Sequence, residues 1–113
     1  MNELIESLRK FAEERDWEQF HSPKNLSMAL TVEAGELMEH MQWLTEEESR
    51  NLSPEKKQKV EEEIGDVLIY LLRLADKLDI DPLEAAHKKL KKNAAKYPVE
   101  EARGNALKYT EFQ

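Results

Sequence analysis

Three dipeptides, Ser22-Pro23, Ser53-Pro54 and Asp81-Pro82, constrain this chain more than any other feature. In each, a side-chain oxygen that can accept from the free N–H groups of a first helical turn precedes a proline. The N–H that proline lacks is one the first turn could not use. Each dipeptide therefore reads as a helix start, and apolar residues at three- and four-residue spacing follow each one. An opening segment with Leu4, Ile5, Leu8, Phe11 and Ala12 repeats that spacing. The chain thus divides into four expected helices, at residues 2–15, 23–43, 54–78 and 82–97. Residues 45–52 form an acidic connection, and residues 99–113, with Gly104 and no clear period, are expected to be an extended tail. Glu84 stands where it would complete a capping box with Asp81. There is no strand signal and no low-complexity segment. With only three glycines and four prolines, the expected fold is all-α: a four-helix bundle-like protomer in one domain over residues 1–113.

The composition removes several function classes. Without cysteine there is no disulfide framework and no thiolate metal site. No apolar run is long enough to span a membrane, and residues 1–10 carry no signal-peptide core, so a cytoplasmic protein is expected. The net charge of −7, with a pI near 5.0, disfavours a nucleic-acid partner, because phosphate contacts need a basic surface. A single nucleotide stays open, since bound cations reverse the local sign.

Two acidic pairs stand out. Glu33-Ala-Gly-Glu36-Leu37 is echoed by Glu63-Ile-Gly-Asp66-Val67, 63 − 33 = 30 residues later. The apolar positions Leu30, Leu37, Met41 and Leu44 match Val60, Val67, Leu71 and Leu74, so helices two and three read as equivalent halves of a helical hairpin. At about 100° per residue, Glu33 falls roughly 40° and Glu36 roughly 100° to one side of Leu37. Glu63 and Asp66 bear the same relation to Val67. Each pair thus lies on the shoulder of the buried stripe, and packing the stripes together makes four carboxylates converge. Unpaired negative charges do not share a partly buried site cheaply, so a cation is called for. Hard oxygen donors, without Cys or suitably spaced His, select Mg²⁺ or Mn²⁺ over zinc. The competing reading is a solvated acidic face, which is how Glu46, Glu47, Glu48, Glu61 and Glu62 are taken.

Helix three is apolar on nearly every side from residue 64 to 78. Helix two carries Met28, Val32, Ala34 and Met38 off its stripe. Helices apolar all round are buried all round, which four helices cannot achieve for two of their number. A homo-oligomer, dimer or tetramer, is therefore expected through helices two and three. Gly35 and Gly65 lie opposite the stripes, where either a close backbone approach or a merely tolerated glycine accounts for them.

Five ordered blocks then carry a family resemblance: FAEERDWEQFH at 11–21, EAGEL at 33–37 with Gln42-Trp43, EEIGDVLIY at 62–70, Lys89-x-x-x-Asn93-x-x-Lys96-Tyr97-Pro98, and KYTEF at 108–112. Together they resemble the MazG-like all-α nucleotide pyrophosphohydrolases, most closely the dCTP pyrophosphatase branch. The resemblance implies Mg²⁺ held by Glu33, Glu36, Glu63 and Asp66, and among these carboxylates Glu36 is taken as the general base. It also implies hydrolysis of a nucleoside triphosphate, dCTP or a modified dCTP, to the monophosphate and pyrophosphate. Trp17, His21, Trp43 and Tyr70 match the positions that line the nucleobase pocket in that family. Aromatic faces supply stacking, although Trp17 and Trp43 also read as core residues at helix ends and His21 as a surface residue. Lys89, Asn93 and Lys96 line one helix face and suit a phosphate tail, or else belong to a solvated lysine face with Lys88, Lys91 and Lys92.

Two other functions compete. A di-iron bundle needs two Glu-x-x-His pairs, and this chain offers only Glu36 and His40, four apart. A non-catalytic helical interaction module would use the apolar faces but has no need of the acid pairs.

Overall fold

The computed structural model describes residues 1–111, so Phe112, the end of the last sequence block, lies outside the described residues. The order is α1 (Asn2–Glu14), α2 (Pro23–Glu39), α3 (Glu46–Arg50), α4 (Pro54–Lys77), α5 (Pro82–Lys96) and α6 (Val99–Ala102). Short 3-10 turns lie at Glu18–Phe20 and Tyr109–Glu111. Among the described residues there is no strand, and the fold is all-helical as expected. None of their helices is long and apolar enough to cross a membrane.

The three proline-led starts form as the sequence dictates. Ser22 Oγ accepts from Asn25 N at 3.1 Å, Ser53 Oγ from Lys56 N at 3.2 Å and Asp81 Oδ1 from Glu84 N at 3.0 Å. The second half of the expected box at Asp81 does not form, because the Glu84 carboxylate pairs with Lys88 at 2.9 Å. A complete box forms instead in the acidic connection. Thr45 Oγ1 accepts from Glu48 N, Glu48 Oε1 accepts from Thr45 N, and α3 follows.

Two further boundaries differ from the expectation. Helix two ends at Glu39 rather than at Trp43. Its last turn tightens, with Met38 O accepting from Met41 N at 2.9 Å and from Gln42 N at 2.8 Å, and the chain leaves the helix axis before Trp43. The segment read as an extended tail contains α6 and the second 3-10 turn. Pro98 opens α6 and Glu100 and Glu101 occupy its first turn, where acids complement the helix dipole.

The chain divides into two compact units, Met1–Asp79 and Ile80–Gln113. In the first unit α2 packs along α4, the hairpin anticipated from the 30-residue echo, and α1 packs on α4 as well. Its core is small: Ala12, Leu26, Val60, Leu72 and Ala75 are buried. A hairpin covers one stripe of each helix and no more. Met28, Val32 and Met38 on α2 and Ile64 on α4 accordingly stay more than half exposed. A Cβ added at Gly35 or Gly65 would meet nothing within 4 Å, so no close approach within the described chain requires either glycine. The second unit holds α5, α6 and the residues that follow.

Candidate functional site

The α2/α4 hairpin brings three of the four expected acids together. Glu33, Glu36 and Glu63 each offer a carboxylate oxygen, and the three oxygens lie within 4.8 Å of one another. Glu33 Oε2 and Glu63 Oε2 are buried and have no hydrogen-bond partner. Burial first, then the close carboxyls of Glu63 and Glu36, push the Glu33 carboxyl up to about 7. The charges of Glu36 and Asp66 add to the effect. Asp66 is exposed and outside the group of three, yet near enough for its charge to act on Glu33. Buried carboxylate oxygens rarely go unpartnered. Two orphaned oxygens within an all-oxygen donor set fit a hard divalent cation.

Next to Asp66 the first unit encloses a cavity of about 200 Å³. Trp17, His21 and Tyr70 line it together with Asp66, Phe11 and Arg73. Three of the four aromatic positions picked out in the sequence thus face one space. Trp43 does not; it stands 86% exposed beyond the end of α2 and is not part of that lining. A more open cleft of about 470 Å³ beside α3, lined by Leu44, Glu47 and Lys56 among others, contains none of the expected site residues.

Local backbone chemistry sets Trp17 in place. Asp16, just past α1, adopts the left-handed conformation at φ 55°. Ala12 O then accepts from Trp17 N at 2.9 Å and Glu13 O from Asp16 N at 3.1 Å. This is a Schellman closure, with aspartate where glycine is usual. The apolar contact that accompanies such closures is the edge-to-face packing of Trp17 on Phe11, with centroids 5.6 Å apart. His21 is pinned between the 3-10 turn and the cap of α2, where Asn25 Nδ2 donates to Phe20 O at 3.0 Å.

Sequence reasoning missed Arg73. It is only 3% exposed, although charged. Its guanidinium donates to Glu18 Oε1 at 2.6 Å and to His21 Nδ1 from both Nε and Nη2, at 3.4 and 3.3 Å. It also lies 3.5 Å from Asp76 Oδ2. Glu18 pairs with Lys77 too, and that hydrogen bond, opposed by burial and aided by Arg73 and the charge of Lys77, holds its carboxyl below the usual range. Asp76 takes a bidentate pair from Arg9 on α1, at 2.8 and 2.5 Å, which lowers its carboxyl likewise. The visible signal was an arginine inside the otherwise apolar run 67–75. A charge at such a position must be paired.

In the second unit Lys89, Asn93 and Lys96 share α5. Asn93 and Lys96 are half-buried and Lys89 is exposed. The positive charge of Lys96 holds the Lys89 amine below the ordinary lysine range.

Comparison with known proteins places this geometry. The model of the MazG-like family matches residues 28–112. The dCTP pyrophosphatase 1 of Bos taurus is 44% identical over 114 residues, covering 96% of this chain and 68% of that protein. The dCTP pyrophosphatase 1 of Homo sapiens is 44% identical over the same length, covering 96% of this chain and 67% of that protein. Among solved structures, a pyrophosphatase from Archaeoglobus fulgidus superposes with a TM-score of 0.82 at 45% identity, over 87% of this chain and 92% of that one.

Proposed function

The chain belongs to the MazG-like family, and on that premise we propose that it hydrolyses dCTP or a modified dCTP, with Mg²⁺, to the monophosphate and pyrophosphate. It is an enzyme, a nucleoside triphosphate pyrophosphohydrolase. The observation that supports the metal in this reading is the pair of buried, unpartnered oxygens of Glu33 and Glu63 inside a three-carboxylate cluster, and the cytosine preference is supported by the likeness to dCTP pyrophosphatase 1. A site built this way disfavours its own charge until a cation fills it.

Glu33, Glu36, Glu63 and Asp66 are the residues that would hold Mg²⁺, with Mn²⁺ as the alternative. When bound, the metal neutralises charge on the phosphates and stabilises the leaving oxygens. The water oxygen forms a bond to the α-phosphorus, and the bond from that phosphorus to the α–β bridging oxygen breaks. Pyrophosphate departs, and the water proton passes to the carboxylate of Glu36. Glu36 is assigned as base because its oxygens, unlike one on each neighbour, are not buried without a partner. Trp17 and Tyr70 supply ring faces for the base in the 200 Å³ cavity, and His21 supplies a polar edge. Trp43 is assigned to the base on resemblance, Lys89 and Lys96 to the phosphates on charge, and Asn93, on the same helix face, to the phosphates as a neutral donor.

The same reading includes a homo-oligomer, dimer or tetramer, formed through α2 and α4, the second and third of the helices expected from sequence. The support is the exposed apolar surface of Met28, Val32, Met38 and Ile64. It also includes a cytoplasmic location, and a single functional domain, since the family match runs across both compact units.

The test is pyrophosphate release from the eight standard ribo- and deoxynucleoside triphosphates, with Mg²⁺ and with EDTA. Mg²⁺-dependent release strongest with dCTP is the expected result. Release from every nucleotide at equal rates would remove the cytosine preference, and release unaffected by EDTA would remove the metal.

A further inference from the structure

We propose that Arg73 is a positioning residue that fixes His21 as a neutral imidazole protonated on Nε2, so that His21 donates a hydrogen bond to an accepting atom of the nucleobase. This rests on the pyrophosphohydrolase reading for the identity of the ligand, but not for the state of the ring.

A guanidinium has N–H donors and no acceptor. Nε and Nη2 of Arg73 both approach His21 Nδ1, at 3.4 and 3.3 Å. Nδ1 must therefore carry a lone pair, which excludes both the Nδ1–H tautomer and the imidazolium. The remaining proton sits on Nε2. Burial and the positive charge of Arg73 act in the same direction, holding the ring below the ordinary histidine range against the opposing charge of Glu18.

The lock is itself held from outside. Glu18 Oε1 takes the second N–H of Nη2 at 2.6 Å, and Asp76 Oδ2 lies 3.5 Å from Nη1. Arg73 is thus gripped on two edges, leaving Nε and one Nη2 proton for His21. Arg9 and Lys77 hold those two carboxylates in turn. The result is a chain of charges running from the surface through the buried Arg73 to one neutral ring at the cavity wall. No described residue accepts from His21 Nε2, although His21 lines the cavity together with Trp17 and Tyr70. A volume of about 200 Å³ seats one heterocycle rather than a whole nucleotide, given that drug-sized ligands fill roughly 300 Å³ or more. The ligand chemistry follows. The base edge facing His21 presents a carbonyl oxygen or a pyridine-type ring nitrogen. An edge presenting an amino group there sets N–H against N–H and is rejected.

The first measurement is the nitrogen spectrum of the His21 ring in the full-length wild-type protein. The expected result is a protonated Nε2 and an unprotonated Nδ1. A proton on Nδ1, or on both nitrogens near neutral pH, would overturn the lock. The second is a kinetic cycle with dCTP using Arg73→Met, His21→Leu and the double variant. Because the base lies away from the reacting phosphorus, losing the oriented donor should raise KM about tenfold and leave kcat within about twofold. Arg73→Met should then do nothing further in the His21→Leu background. Arg73→Lys, a donor without an acceptor like arginine but with one point of contact in place of the fork, should lose less in KM than Arg73→Met. Equal effects of Arg73→Met in both backgrounds would overturn the proposal, since Arg73 would then act without His21. A wild-type protein that turns over no nucleotide would overturn the pyrophosphohydrolase reading. The nitrogen spectrum would still decide the lock.

Discussion

Replacing Glu33 with glutamine should make the metal-free protein more stable while destroying its response to Mg²⁺. The Glu33 carboxyl is pushed up to about 7 from an ordinary 4.5 by burial and by its acidic neighbours. A full shift of that size corresponds to about 3 kcal/mol of penalty once the group is ionised in the fold, at about 1.4 kcal/mol per unit. Glu33 keeps some solvent access, which brings the expectation to about 1–2 kcal/mol. The sign follows from linkage. A carboxyl raised in the fold contributes stability that is present below the unfolded value and is lost as pH rises through about 7. Above pH 7 the wild type bears the whole penalty, and the glutamine variant none. The assay is thermal unfolding in EDTA at pH 8 and at pH 5, then at pH 8 with Mg²⁺. In EDTA at pH 8 the variant should melt several degrees above wild type, at about 4–8 °C per kcal/mol for a unit of this size. At pH 5 most of that gap should close. With Mg²⁺ the order should reverse, because only the wild type gains binding energy. A variant no more stable than wild type at pH 8 in EDTA would refute the claim that these carboxylates repel one another.

Glu63→Gln should likewise abolish thermal stabilisation by Mg²⁺ and reduce pyrophosphate release at least a hundredfold, read by melting curves and product assay, since a metal site rarely tolerates loss of a ligand at its centre. Asp16→Gly should raise the melting temperature by a few degrees, because it relieves up to about 1 kcal/mol of left-handed backbone strain at φ 55°. Asp16→Val should lower it. Asp76→Asn should lower the melting temperature at neutral pH, by an amount that shrinks as the pH is taken down through the ordinary carboxylate range and below it. The stability that Arg9 draws from the lowered Asp76 carboxyl is present above the unfolded value and is lost as pH falls.

Much of this site was legible in the sequence because helical spacing is a rigid ruler. The echo between residues 33–37 and 63–67 fixed both the α2/α4 hairpin and the side on which Glu33, Glu36 and Glu63 meet. The cavity positions Trp17, His21 and Tyr70 needed the family pattern, since nothing in periodicity brings a loop residue such as His21 to a helix face. Trp43 was placed on a helix that in fact ends at Glu39. Helix ends are decided by competing turn bonds worth little each, and sequence locates them poorly. The helix α3 was missed because its acids looked solvated, which they are. Thr45 and Glu48 nevertheless satisfy each other's backbone and start a turn. Arg73 was invisible for a different reason. Its partners Glu18, His21 and Asp76 lie 55, 52 and 3 residues away, and only the packed fold brings the first two to it.

Hydrolysis of dCTP in ¹⁸O-labelled water, with Mg²⁺ present and the products separated, tests the central claim most directly. Attack at the α-phosphorus places the label in the monophosphate and none in the pyrophosphate. Label in the pyrophosphate, or release of orthophosphate as the first product, would contradict it.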